Sequence, residues 1–314
     1  MTNPLKSMKM KLLIFLLTVS FLNCNNQSKQ NQKSFSGLLD VPGSIFQYKG
    51  EGQGIPCVVF TGSENLGHKM YTDELRENLN MIHADPGKIK IEELDRITIE
   101  AIVDDIENLR VWLKIDKIAV LGHSMFGTLP LEYALKYPDH IYYSISSGAL
   151  PFVNDKAFKA QREYWQNEAS EERKKILQEN NAKLKAQDLN NMPASERFIK
   201  GYIANIPYRF YDLHYDMSKF WEDEKINMDF VNHFWGVLMK NYDNTKNFKN
   251  ISTPILVITG KYDFGAPYYL WNEYETIIPD MKIVVFQNAG HNPMLESPEE
   301  FDKVIIDWIN SKKK

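Results

Sequence analysis

Cysteine is almost missing from this chain: 314 residues hold two, Cys24 and Cys57. Two cysteines build no disulfide framework, so stability has to come from an apolar core even in an oxidising compartment. An excess of either charge is missing as well, with 37 Lys and Arg against 41 Asp and Glu and a net charge of −4. That balance carries no electrostatic footprint for nucleic acid, and no such partner is expected. No apolar run reaches the ~20 residues that a membrane-spanning helix needs. The longest covers residues 12–22 and is interrupted by Thr18 and Ser20. With 43% hydrophobic residues, what is left is the composition of a globular enzyme.

That longest run does have a meaning. It follows Lys6, Lys9 and Lys11, and a short apolar stretch behind basic residues reads as a secretory signal over residues 1–23. Its end, Phe21-Leu22-Asn23-Cys24, resembles a bacterial lipobox, in which the cysteine is lipidated and becomes the new N-terminus. The expectation is an exported, membrane-anchored lipoprotein of a bacterial cell envelope, held through Cys24. An ordinary cleaved signal with an incidental cysteine is the alternative. Residues 25–36 are almost wholly Asn, Gln, Ser and Lys, too polar to bury anything, so residues 24–43 read as a tether. The closing Lys312-Lys313-Lys314 reads as a solvated tail.

From residue 44 the pattern is that of alternating strands and helices. Residues 44–49 alternate as a strand, Gly50 to Gly54 make a turn, and residues 56–60 form a buried-strand run that ends at Thr61-Gly62-Ser63. A helix is expected over 70–79 and a strand over 81–84, closed by Asp85-Pro86-Gly87. His83 and Asp85 have a spacing that suits a metal, but no third ligand stands nearby, so a strand-end histidine and a turn aspartate are expected instead. Thr98 is a plausible N-cap for a helix whose stripe runs through Ile99, Ile102, Val103, Ile106, Leu109, Val111 and Leu113. A strand over 117–121 then meets Gly122-His123-Ser124-Met125-Phe126-Gly127, followed by a helix over 129–137 and a strand over 141–146. Strand and helix in alternation argue for a parallel sheet with crossover helices, which binds ligands outside the carboxyl ends of its strands.

Residues 151–250 have a different texture: strand patterns vanish, and Trp165, Trp221 and Trp235 appear among helical periods. Glu222-Asp223-Glu224 in this stretch could hold a substrate's amino group, though a solvated face is the commoner outcome for such a cluster. The strand pattern resumes over 253–259 and is followed by Gly260-Lys261-Tyr262-Asp263. A last strand, 282–286, delivers Ala289-Gly290-His291-Asn292-Pro293. Ser297, Pro298 and Glu300 read as N-cap, N1 and N3 of a closing helix with a capping box.

Strand, sharp turn with serine, helix is a nucleophile elbow, and at this point the chain resembles the α/β-hydrolase family from about residue 45 to its end. The resemblance implies a mostly parallel central sheet flanked by helices. Its core would comprise residues 44–150 and 251–314, with a helical cap inserted over 151–250. Ser124, Asp263 and His291 stand in the order in which that family carries its triad, which implies catalytic roles for all three; Asp155, the rival acid, lies inside the cap. It also implies an oxyanion hole made by the N–H groups of Ser63 and Met125. The chain departs from the family's G-x-S-x-G at Phe126, with the glycine one residue later, and from its His-Gly loop at Thr61. Gly-Lys-Tyr-Asp, Ala-Gly-His-Asn-Pro and the long cap look most like the prolyl aminopeptidase branch. The implied function is a serine hydrolase acting on an ester or amide bond of a small molecule or short peptide, with an acyl-serine intermediate and neither cofactor nor metal. Carbon–carbon bond hydrolysis stays open. A lipid-anchored binding protein that keeps the fold without catalysis is the alternative. The cap residues that touch substrate, the oligomeric state and the natural substrate are not legible.

Overall fold

The computed structural model describes residues 37–313; the expected signal, the lipidation site Cys24 and residues 25–36 of the expected tether lie outside the described residues. The rest of that tether, expected to reach residue 43, is not wholly a linker, because Gly37–Leu39 pairs as a strand with Tyr48, Lys49 and Gly50. The strands are β1 Gly37–Leu39, β2 Gln47–Glu51, β3 Ile55–Phe60, β4 Leu79–Asp85, β5 Ile118–His123, β6 Ile141–Ser147, β7 Ile255–Gly260 and β8 Met281–Phe286. They form one sheet in the order β1-β2-β4-β3-β5-β6-β7-β8. The pairs β1/β2 and β2/β4 are antiparallel and every later pair is parallel. Burial on both faces is what the near-continuous apolar runs of the central strands require. Alternate residues of one strand enter different cores: Val58 and Val120 on one face, Cys57, Val59 and Leu121 on the other.

The helices of the core are α1 Glu64–Met70, α2 Asp73–Asn78, α3 Ile99–Trp112 and α4 Leu129–Lys136. Between β6 and β7 the described residues hold helices and no strand: α5 Asp155–Glu168, α6 Glu171–Lys185, α7 Ala194–Ala204, α8 Ile206–Arg209, α9 Ser218–Trp221 and α10 Met228–His233. The chain closes with α11 Pro293–Glu296 and α12 Pro298–Lys312. One face of the sheet packs on Ile102 and Leu109 of α3 and Leu129 of α4; the other packs on Leu75 of α2 and Phe301 and Ile305 of α12.

Several expected boundaries move, each for a local reason. The strand expected over 44–49 begins at Gln47, because residues 44–46 are gathered by a buried acid instead. Asp105 on α3 accepts from Ser44 Oγ at 2.8 Å, Ile45 N–H at 3.1 Å and Tyr48 OH at 2.6 Å. The following turn is correspondingly shorter, with Gly52 and Gly54 at φ +99° and +86°. The helix expected over 70–79 is two helices. The backbone is extended at Tyr71 and Thr72, and the Thr72 side chain caps α2 by accepting from Leu75 N–H. The Thr98 cap on α3 forms, accepting from Ala101 N–H, but Val111 leaves the stripe and is exposed. At α12 the capping box does not form: Ser297 makes no side-chain cap bond, and the helix starts on Pro298 with Glu299 and Glu300 in its first turn.

Register decides where the chemistry collects. Phe60 pairs with Gly122, His123 with Ser147, Ser147 with Ile258 and Gly260 with Phe286. The carboxyl ends of β3, β5, β6, β7 and β8 therefore lie along one rim, and the loops leaving them carry Ser63, Ser124, Gly148, Asp263 and His291.

Candidate active site

Ser124 follows β5 with φ +55°, in the left-handed region that a serine rarely occupies. Gly122 makes the turn possible, because a Cβ there would lie 2.1 Å from Phe126 O. Gly127 answers a second contact, since its Cβ would lie 2.2 Å from the Ala149 side chain. One 3-10 turn, Ser124–Phe126, separates the serine from α4, closed by Gly127 N–H donating to Ser124 O at 3.0 Å. The N–H groups nearest the serine thus belong to that turn, Met125 among them, and not to α4. The departure at Phe126 finds its space in an aromatic cluster. Its ring lies 5.5 Å from Phe60 and 5.4 Å from Phe234, with Phe230 stacked at 6.1 Å.

Two loops meet the serine from the far side of the rim. His291 Nε2 stands 2.8 Å from Ser124 Oγ, and His291 Nδ1 stands 2.7 Å from Asp263 Oδ2. Asp263 is fully buried; its other oxygen accepts from Gly265 N–H at 3.0 Å and Ala266 N–H at 2.9 Å, which fixes the carboxylate plane. The His291 main chain is pinned as well, donating to Arg209 O at 2.5 Å. Asp155, the rival acid, is exposed in the first turn of α5. The fold thus brings the expected three side chains together.

Three polar groups around this chain were not singled out. His123 is buried beside His291, ring centroids 5.0 Å apart, with its Nε2 3.2 Å from Asn292 Oδ1. Burial first, then the charge of His291, holds His123 well below the usual imidazole range. Asn292 in turn donates to Tyr202 OH at 2.9 Å. Glu296 accepts from Gly290 N–H at 2.8 Å and from Tyr211 N–H at 2.7 Å, tying the His291 loop to the chain after α8; burial pushes its carboxyl up to about 7. The signal for His123 was available, as the residue between Gly122 and Ser124. For Glu296 there was none before the fold was known.

Ser63 caps α1, its Oγ accepting from Leu66 N–H at 3.1 Å and donating to Glu224 Oε2 at 2.8 Å. Gly62 serves here through its φ of +81° and not through close approach, since a Cβ there would meet nothing within 4 Å. The acidic cluster divides: Glu222 and Asp223 are solvated, whereas Glu224 is buried and paired with Lys69 at 2.9 Å. His83 is buried against Glu51, Nε2 to Oε1 at 3.0 Å, and Asp85 Oδ1 accepts from Gly87 N–H at 2.6 Å, so both have the structural roles expected of them. Hydrogen bonds from His83 and Arg76 outweigh burial and depress the Glu51 carboxyl.

The site opens into two lobes that meet at Ser124 and His291. One, of about 120 Å³, is walled by Phe198, Phe220, Trp221, Ile226 and Phe230. The other, of about 250 Å³, is bordered by Gln161, Tyr208, Arg209, Trp235 and Met239. Of the three cap tryptophans, Trp221 and Trp235 thus face the site, while Trp165 packs on Tyr208 and Phe264.

Residues 80–298 match the family described as alpha/beta hydrolase fold. The AB hydrolase superfamily protein YclE of Bacillus subtilis (strain 168) is 26% identical over 280 residues, covering 88% of this chain and 99% of that protein. A proline iminopeptidase of Heyndrickxia coagulans is also 26% identical, over 300 residues, covering 88% and 98% respectively. Among solved structures, the proline iminopeptidase of Mycobacterium smegmatis matches with a TM-score of 0.65 at 18% identity, covering 88% of this chain and 98% of its own.

Proposed function

Because this chain belongs to the alpha/beta hydrolase fold family and is a hydrolase, we propose that it cleaves an ester or amide bond of a small substrate through an acyl-serine intermediate. The observation that carries this is the hydrogen-bond distance of 2.8 Å between Ser124 Oγ and His291 Nε2, on a serine held at φ +55° at a strand end. Ser124 Oγ attacks the carbonyl carbon as His291 takes its proton, and the imidazolium returns that proton to the leaving group. Asp263 keeps the Nδ1–H tautomer and stabilises the imidazolium. The N–H groups of Ser63 and Met125, on the neighbouring ends of β3 and β5, receive the oxyanion, each contributing about 3 kcal/mol. Water then repeats the sequence on the acyl-enzyme.

The likeness to proline iminopeptidases makes a peptide substrate a candidate, and hydrolysis of small esters is the other. Phe126 and the altered loop at Thr61 motivate the alternative of a binding protein without catalysis. The seat of the Phe126 ring in the aromatic cluster, beside a serine still within hydrogen-bond distance of His291, favours catalysis over it. The test is turnover of p-nitrophenyl esters beside proline and alanine p-nitroanilides by the wild type and Ser124→Ala. Loss of at least about a thousandfold in kcat with unchanged folding is expected for the variant. Equal activity in both proteins would sink the assignment, and turnover of the proline anilide would identify a peptidase.

A further inference from the structure

The two lobes that meet at Ser124 are bordered by no aspartate or glutamate among the described residues. A free amino group has no carboxylate to meet there, because Glu224 spends its oxygens on Lys69 and Ser63 outside both lobes. Apart from histidine, the one charged residue that borders either lobe among the described residues is Arg209, at the end of α8, and it borders the second.

Arg209 is built in firmly. Its carbonyl accepts from His291 N–H at 2.5 Å, and Gly290 comes so close that a Cβ would lie 2.0 Å from that oxygen. The chain around it is held by Arg173, whose guanidinium donates to Pro207 O at 2.7 Å, Phe210 O at 2.6 Å and Tyr211 O at 2.8 Å. The two arginines differ in what they have to donate to. Arg173 places three of its N–H groups on carbonyl oxygens. Arg209 has no hydrogen-bond acceptor or ion-pair partner among the described residues, its buried Nε included, and its guanidinium lies over the Tyr202 ring at 4.8 Å. A guanidinium offers five N–H groups in a fork that matches a carboxylate, and leaving buried ones unpaired is unfavourable. Neighbouring polar groups do not fill the need. Tyr208 OH already donates to Phe264 O at 2.9 Å and Gln161 Nε2 to Gly265 O at 2.6 Å.

We propose that Arg209 binds a carboxylate of the substrate, so that the preferred ester or amide carries an apolar group on one side of the scissile carbonyl and a single anionic group on the other. The apolar lobe, at about 120 Å³, takes a group of roughly benzene size. This rests on Ser124 being the nucleophile.

Two pairs of esters test it, one for each side of the carbonyl: mono-p-nitrophenyl glutarate against its methyl ester, and 4-butyryloxybenzoate against methyl 4-butyryloxybenzoate. The readout is the ratio of kcat/KM for the acid to that for its neutral ester. A wild-type ratio above about ten in one pair, falling to about one in Arg209→Met and partly restored in Arg209→Lys, is expected. Should Arg209→Met fail to fold, competitive inhibition of the wild type by free glutarate, absent with glutaramide, carries the same prediction. Ratios at or below one in both pairs, or a preference that survives in Arg209→Met, overturn the proposal. Fluorophosphonate labelling separates the two levels. A labelled wild type with flat ratios overturns the carboxylate site alone, and an unlabelled wild type overturns the nucleophile and this site with it.

Discussion

Glu296 shows how one side chain couples the site to pH. Both its oxygens accept main-chain N–H groups, yet burial raises its carboxyl from 4.5 to about 7. The folded state thus holds this proton more tightly than the unfolded chain does. Its stabilising contribution is complete below about pH 4.5 and is lost as pH rises through 7. The span corresponds to at most about 3 kcal/mol. Urea unfolding at pH 5 and pH 8 should show the wild type losing up to that much more than Glu296→Gln, and parallel losses would contradict the assignment. Glu296 also marks what a sequence can and cannot disclose. Ser124, Asp263 and His291 were legible because each follows a strand pattern and has glycine close by in a loop. Glu296 and Arg209 were not, because their meaning comes from chain segments far away in sequence that only the fold brings beside them.

At the scale of elements, the turn after β5 carries the most consequence. Its departure from the family pattern puts a phenylalanine where a small residue usually stands, and the ring joins the turn after β5 to Phe60 at the end of β3, Phe230 on α10 and Phe234 just after it. Phe126 is 3% exposed, so truncation leaves a cavity that the surrounding rings fill only in part. Phe126→Ala should lower unfolding stability by about 3 to 5 kcal/mol in urea titration. A loss under about 1 kcal/mol would mean that the cluster repacks freely. Elements with a strong period, α3 and the buried strands, were readable within a residue or two. The break at Tyr71 and Thr72 was masked by apolar spacing that runs straight across it. The late start of β2 was hidden because Asp105, an acid within an apolar stripe, gathers residues 44–46 from another element.

At the largest scale, the described residues set a helical layer over the carboxyl rim of a mostly parallel sheet. Glu224 joins the cap to the loop after β3 through Ser63 and Lys69, and Asn227 donates to Pro86 O at 3.0 Å and Ile89 O at 2.8 Å. The cap is thereby fastened beside the group proposed to receive the oxyanion, and its aromatic residues wall the apolar lobe. An apolar wall strengthens electrostatic interactions beside it, which would favour the proposed acyl transfer. Everything proposed about catalysis nevertheless passes through one activated oxygen. The most direct measurement is labelling of the folded protein by a fluorophosphonate, with the modified peptide located by mass spectrometry, in the wild type and in Ser124→Ala. The account predicts one adduct, on Ser124, absent from the variant. An unlabelled wild type, or an adduct on another residue that persists in Ser124→Ala, would contradict it.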